Sequence, residues 1–285
     1  MSACWAIFRK VMVESRWLLG ASAVALFGLA WLFLFLTSRF EAQRRLPVED
    51  LRSGMRRAGF ARMAQAIGGP SVSDDDSGSL ALAYWKHPFF LLLLSLWPIS
   101  RGSAAVAGEV ERGTLDLVLS RPVSRVAYLG SQVAAALAGM LVLGVAMAAG
   151  VLAAARVYPL ESPPGVMAMA GPILNVSALG MVIFAATLLV SSIDVVRWRA
   201  TLIGSTLTLA SFILLVLAQV FAGFPSLEHL KWVDKLSIFR AFDPVEAFVA
   251  ARNLPFNAGL LGAIASGFLA LALLAFSRRD LPANG

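Results

Sequence analysis

A single cysteine, Cys4, and two histidines, His87 and His229, stand in 285 residues, and only 14% of the chain is charged. One cysteine cannot form an internal disulfide, so a disulfide scaffold is excluded. With so few thiol and imidazole ligands, neither a metal cluster nor a Ser-His or Cys-His catalytic pair can be assembled within the apolar segments, which leaves an intramembrane enzyme as a remote alternative. No Gly-x-x-x-x-Gly-Lys-Ser/Thr phosphate loop occurs anywhere, so the chain carries no nucleotide site of that kind. What it has instead is apolar surface: 59% hydrophobic residues and a mean hydropathy of +0.77. Soluble domains run at about 45–50% apolar and about 25% charged, so this chain has too little polar surface to cover a globule in water. Disorder, which needs low hydrophobicity, is excluded by the same numbers. The composition is that of a polytopic, all-α membrane protein, in which a net charge of +7 belongs beside the spans rather than on a nucleic-acid partner.

A helix rising 1.5 Å per residue needs about 18 or more apolar residues to cross a hydrocarbon core roughly 30 Å thick. Six stretches qualify: 17–37, 88–107, 127–155, 172–193, 201–222 and 257–276. Five contain no Asp, Glu, Lys or Arg. The second contains Arg101, which near a helix end is expected to snorkel to the headgroups rather than incur the roughly 2.5–3.5 kcal/mol of a mid-membrane charge. The third, at 127–155, is long enough that it must tilt or overhang.

Six spans put both termini on one side of an inner or plasma membrane. With the termini cytoplasmic, the inner segments hold eleven of the 24 Lys and Arg against six of the 17 acids, and the outer loops thirteen against eleven, dividing +7 into +5 and +2. The positive-inside rule selects this orientation, although Arg39, Arg44, Arg45 and Arg52 oppose it.

Ahead of the first span, Cys4, Trp5, Phe8, Val11 and Met12 share one helical face, with Arg9, Lys10 and Glu14 between them; the pattern predicts a short amphipathic helix lying at the interface before the chain turns into the membrane. The first outer loop, 38–87, is far longer than an ordinary connection. Val48, Leu51, Met55, Met63 and Ile67 predict an amphipathic helix within it, followed by a polar linker with Asp74, Asp75 and Asp76, whose spacing lacks the alternating ligands of a calcium loop. A second outer loop, 223–256, repeats apolar residues at helical spacing through Leu227, Leu230, Val233 and Leu236, and predicts two short helices against the outer leaflet. Within the spans, two small-residue stripes, Gly130-Ala134-Ala138 and Ala146-Gly150-Ala154, suit close helix contacts, and Gln132, Asn175 and Gln219 suit interhelical hydrogen bonds.

The most specific inner stretch is 108–125: Gly108-Glu-Val-Glu-Arg-Gly-Thr-Leu-Asp-Leu-Val-Leu-Ser-Arg-Pro-Val-Ser-Arg125. It opens on charge, bends at Gly113, forms an amphipathic turn from Leu115, and ends at Pro122. Read physically, it is a charged handle fixed between two spans, suited to a soluble partner, although a plain turn fits the same residues.

This stretch resembles the signature of the ABC (ATP-binding cassette) type-2 permease family, a Glu-x-Glu-x-Gly-Thr-Leu run followed by Ser-x-Pro-x-Ser-Arg after the second of six spans. The matching residues are Glu109, Glu111, Gly113, Thr114, Leu115, Ser120, Pro122, Ser124 and Arg125, and Phe276-Ser-Arg-Arg-Asp-Leu281 is similar to the family's usual ending. The resemblance implies a six-span permease subunit that exports or reorganises its substrate, with the 108–125 loop acting as a coupling helix in a groove of a separate ATPase. Glu109, Glu111 and Arg112 would orient that helix, Leu115 and Leu117 would make its apolar contacts, and Asp194, Arg197 and Arg199 would form a second contact. It further implies ATP and Mg bound only by the partner, and a homo- or heterodimer of permeases surrounded by lipid. The alternative is a subunit of the same kind that transmits force to an extracytoplasmic partner through the 38–87 loop.

The charge division makes orientation testable. With Cys4 replaced by Ser, a Ser77→Cys variant is expected to react with a membrane-impermeant maleimide in intact cells, and reaction only after lysis would reverse the topology.

Overall fold

The structure, a computed structural model, describes residues 3–44, 82–120, 123–158, 160, 163–222, 227–249 and 254–279. Among these residues there is no strand. Nine α-helices are described: α1 (Ala3–Arg44), α2 (Pro88–Ala105), α3 (Ala107–Glu111), α4 (Leu115–Leu119), α5 (Arg125–Val157), α6 (Ala170–Ile193), α7 (Arg197–Ala222), α8 (Pro244–Val249) and α9 (Leu254–Arg278). Short 3-10 turns at Tyr84–Lys86, Met167–Met169, Glu228–Leu236 and Ile238–Ala241 join some of them. The predicted helix around Val48 to Ile67 and the Asp74–Asp76 linker lie outside the described residues.

Among the described residues, five helices are long and apolar enough to cross a membrane: Cys4–Arg39, Arg125–Val157, Met167–Ile193, Arg197–Ala218 and Leu254–Arg278. Six were expected. The difference falls on α2, whose 18 residues include Pro98, Arg101 and three serines, diluting its hydropathy. By length α2 reaches about 27 Å, close to the hydrocarbon thickness. It packs against α6, α7 and α1, and most of its residues from Phe90 to Ala105 are buried.

The N-terminus departs from expectation in a second way. In place of a separate interfacial helix and a turn, α1 is one continuous helix of 42 residues. Neither Gly nor Pro occurs before Gly20, so nothing breaks it. Its buried stripe also runs without a phase change through Ile7, Val11, Ser15, Leu19, Ser22, Leu26, Ala30, Leu34 and Thr37, at steps of three or four residues. A helix of this length extends about 63 Å, roughly twice the apolar core, so it is longer than a crossing needs.

α6 is the centre of the bundle, packed against α9, α2, α5 and α7. Close approach depends on glycines. A Cβ at Gly150 would meet the Phe27 carbonyl and Ala30 of α1, one at Gly139 the Trp97 ring of α2, and one at Gly102 the Phe184 carbonyl and Thr187 of α6. Of the two small-residue stripes predicted in this region, the one through Gly150 and Ala154 is buried, whereas Gly130 and Ala134 are exposed. Arg101 also differs from expectation: it does not snorkel outward but is 7% exposed, with Nη2 donating to Gln132 Oε1 at 3.2 Å.

At the end of the bundle away from α3, the predicted helical loop is built from the two 3-10 turns between Glu228 and Ala241 and from α8. Lys86 pairs with Asp243 at 2.8 Å, Asn175 Nδ2 donates to the Ala241 carbonyl at 3.1 Å, and Ser237 Oγ donates to the Ser211 carbonyl at 2.7 Å. Phe33 stacks on Tyr84 beside Phe90.

Two glycines on one helix give a matched test of this packing. Gly150→Ala is expected to lower the Tm in detergent, with an overpacking cost of about 1–3 kcal/mol. Gly130→Ala, which meets only open space, is expected to be neutral or to stabilise by about 0.5–1 kcal/mol. Equal effects would contradict the α1–α5 contact.

Candidate functional site

The chain leaves α2 at Val106 and forms α3, whose C-terminal turn is closed by Gly113. Gly113 has φ +66°, a left-handed conformation that costs an L side chain about 1–2 kcal/mol. Its amide donates to the Val110 carbonyl at 2.9 Å, and the Thr114 amide donates to the Glu109 carbonyl at 2.9 Å. This pair of bonds is the Schellman closure, which satisfies carbonyls that a helix end leaves open. Gly113 therefore reverses the chain so that α4 folds back beside α3, with Leu115 buried beneath it.

Glu109 holds the assembly. Its side chain is 5% exposed and accepts from Lys10 Nζ at 3.0 and 3.1 Å, from Arg112 Nη2 at 2.7 Å and from Thr114 Oγ1 at 2.6 Å. Two cations and a hydroxyl thus saturate both oxygens, as a buried carboxylate requires. Burial alone pushes the Glu109 carboxyl up. The hydrogen bonds from Thr114 and Lys10, with the charges of Lys10 and Arg112, outweigh that and hold it below the usual carboxylate range.

The second predicted contact, around Asp194 to Arg199, sits against the first. Glu111 is exposed, and its Oε2 accepts from the Arg197 backbone amide at 2.9 Å, one of the open donors at the start of α7. The Arg197 guanidinium reaches back to Ser100 Oγ at 3.2 Å. Asp194 Oδ1 accepts from the amides of Val195 and Val196 at 2.7 and 3.0 Å, which fixes the α6–α7 turn. Arg199 approaches Asp194 only at 4.0 Å and is more than half exposed. Arg279 Nη1 donates to the Asp194 carbonyl at 3.0 Å, and Arg125 Nη1 donates to the carbonyls of Phe276, Ser277 and Arg279 at 2.6, 2.8 and 2.9 Å.

The structure therefore gathers Glu109, Glu111, Arg112, Gly113, Thr114, Leu115, Leu117, Asp194, Arg197, Arg199 and Arg125 at one end of the bundle, while Pro122 lies outside the described residues. Their placement separates them by role. Glu109, Thr114 and Leu115 face inward, so Leu115 is part of the chain's own core rather than a contact for a partner. Arg125 is turned toward the end of α9. Facing outward are Glu111, Arg112, Leu117 at 68% exposure and Trp198 at 62%. Exposed apolar residues on the spans meet lipid, whereas Leu117 lies in a short helix outside them, next to Asp116. Lys10 and Arg279 are the members that sequence reasoning did not single out. Lys10 carried a signal only as a base beside the apolar face of α1, 99 positions from its partner.

A family model described as "ABC-2 family transporter protein" matches residues 5–281. No curated protein sequence matches the chain.

Because the folded-state carboxyl of Glu109 is depressed, its stabilising contribution is fully present above the ordinary Glu pKa of about 4.3 and is lost as pH falls through the folded-state value. Glu109→Gln is expected to reduce stability at neutral pH by about 2 kcal/mol, less than a wholly buried pair would lose because Lys10 and Arg112 remain partly solvated. The Tm difference from the wild type should shrink on acidification below that range, and a difference independent of pH would show that the Glu109 charge is not what holds α3.

Proposed function

The chain belongs to the ABC-2 family of transporter proteins, as an integral, multi-pass membrane permease, and on that premise we propose that it docks a separate ATPase subunit through α3, α4 and the residues up to Arg125. In this reading α2 is the sixth span, both termini are cytoplasmic, and two permease chains assemble with the ATPase subunits, which bind ATP and Mg. The assembly exports or reorganises its substrate. One observation carries the docking surface: Leu117 stands 68% exposed on α4, while Glu109, on the α3 turn that α4 folds back against, is buried and saturated. A side chain that serves only the chain's core would be turned inward as Leu115 is.

The inward and outward sets have different work. Glu109, Gly113 and Thr114 hold α3 and α4 in shape. Glu111, Arg112 and Leu117 offer an apolar centre with charge of both signs around it, the arrangement that gives a protein interface both attraction and register. Arg199 and Trp198 extend that surface, since the Glu111–Arg197 bond sets the two loops side by side. Alternating acids and bases here suit a protein groove better than a phosphate backbone.

Leu117→Asp is expected to weaken capture of the ATPase by the affinity-purified permease at least about tenfold, a loss of about 1.4 kcal/mol or more, while leaving the Tm of the permease unchanged. Arg112→Ala is expected to weaken capture less and also to lower the Tm, because it removes a partner of Glu109. Undiminished capture by Leu117→Asp would remove α4 from the interface.

A further inference from the structure

The break between α2 and α3 is held in a specific way that neither the family assignment nor the docking surface explains. Val106 has φ −123° and ψ −62°, off the helical values, and both it and Ala107 are fully buried. A break at this depth strands backbone donors and acceptors where water cannot meet them, and each would be costly if left open. Four of them are met by side chains from two other helices, and the Val106 carbonyl accepts from the Glu109 and Val110 amides. Ser191 Oγ on α6 accepts from the Val106 amide at 3.2 Å and from the Ala107 amide at 2.8 Å, and donates to the Ser103 carbonyl at 3.0 Å. Tyr128 on α5 donates its hydroxyl hydrogen to the Ala105 carbonyl. Gln132 Nε2 donates to the Tyr128 oxygen at 3.1 Å, and Gln132 Oε1 accepts from the buried Arg101 one turn before the break.

We infer that Val106 is a transmission joint, with Ser191 and Tyr128 as the positioning residues that lock α3 to α2, α5 and α6, so that a displacement of the docking segment reaches three helices at once. The inference rests on the docking reading above and adds the element that carries motion inward. Two physical points support it. First, the bonds come from two neighbours: one hydroxyl on α6 takes three backbone groups of the joint, and the opposing side is taken by Tyr128 on α5. Second, the side chains are specific in position. Ser192, next to Ser191 and equally buried, bonds only the Leu188 carbonyl of its own helix at 2.8 Å. Arg101 belongs to the same set: it donates to Gln132, which donates to Tyr128, so the three form one chain from the core of α2 back to its end.

The test uses the full chain in lipid nanodiscs, spin-labelled at Leu96→Cys on α2 and Leu117→Cys on α4 in a Cys4→Ser background, with the distance distribution read by pulsed dipolar spectroscopy. Tyr128→Phe and Ser191→Ala each remove a single oxygen. Each is expected to broaden the distribution about twofold, as loosening between two otherwise rigid elements would. Ser192→Ala, which removes a buried hydroxyl of the same kind, is expected to leave it unchanged. In the unlabelled-site complex with the captured ATPase, labels at Leu96→Cys and Leu137→Cys should shift on adding ATP, and both joint variants should at least halve that shift without reducing capture. Distributions as narrow in both variants as in the wild type, or broadened equally by Ser192→Ala, would overturn the joint and leave the docking reading intact. Failure of the wild-type chain to capture an ATPase would overturn the docking reading and the joint's role with it.

Discussion

A carboxylate withdrawn from water has to be met on both oxygens, and in this protein Glu109 is where that requirement organises the structure. Lys10 comes from the first helix, Arg112 and Thr114 from the turn that follows. Without Glu109 charged, the first turns of α1 would have no polar reason to lie against α3, and Arg112 would have no reason to fold back. With it charged, the position of α1, the direction of α3 and the Gly113 reversal are settled together. The exposure of Leu117 is a consequence, since the same turn that buries Leu115 sets Leu117 on the opposite side of α4.

Much of this end of the molecule was legible in the sequence because its signals are local. The left-handed turn at Gly113, the charged opening and the amphipathic turn from Leu115 all lie within a dozen residues, and the glycine states its own reason. The spans were legible for a similar reason, since length and apolarity are read residue by residue. What failed was whatever depends on a partner far along the chain. Arg101 was expected to reach the headgroups because its nearest polar company by sequence is water; its actual company is Gln132, on another helix. The break predicted after the amphipathic segment of α1 required that its apolar face meet the interface. That face instead continues the stripe buried against the bundle, so one straight helix satisfies both.

The same distance dependence explains the arginines. Counted by side, the surplus of positive charge reads as a topology signal. Placed in the structure, Arg125 and Arg279 are occupied with carbonyl oxygens at the ends of α9 and α6, where the last turn of a helix exposes acceptors and carries partial negative charge. Charge that the sequence reading assigned to orientation thus closes helix ends in the folded bundle. The Phe276-Ser-Arg-Arg ending has a physical role of this kind: Arg125 grips its carbonyls from the α5 side, and Arg279 passes the connection on to the α6–α7 turn.

These contacts form a chain. Lys10 joins α1 to α3, Glu111 joins α3 to the start of α7, Asp194 in the turn before α7 accepts from Arg279, and the residues around Arg279 accept from Arg125 at the start of α5. A chain of polar bonds at one end and glycine contacts such as Gly150 on Phe27 and Gly102 on Phe184 along the bundle have different mechanical consequences. The polar bonds are directional and resist rotation of the helix ends relative to one another. The glycine contacts are close but non-directional, and a helix can slide or tilt across them at lower cost. On the proposed docking reading, a push on α4 would be taken up less by deformation of these bonds than by tilting of the helices, and through the break at Val106 it would reach α2, α5 and α6 together.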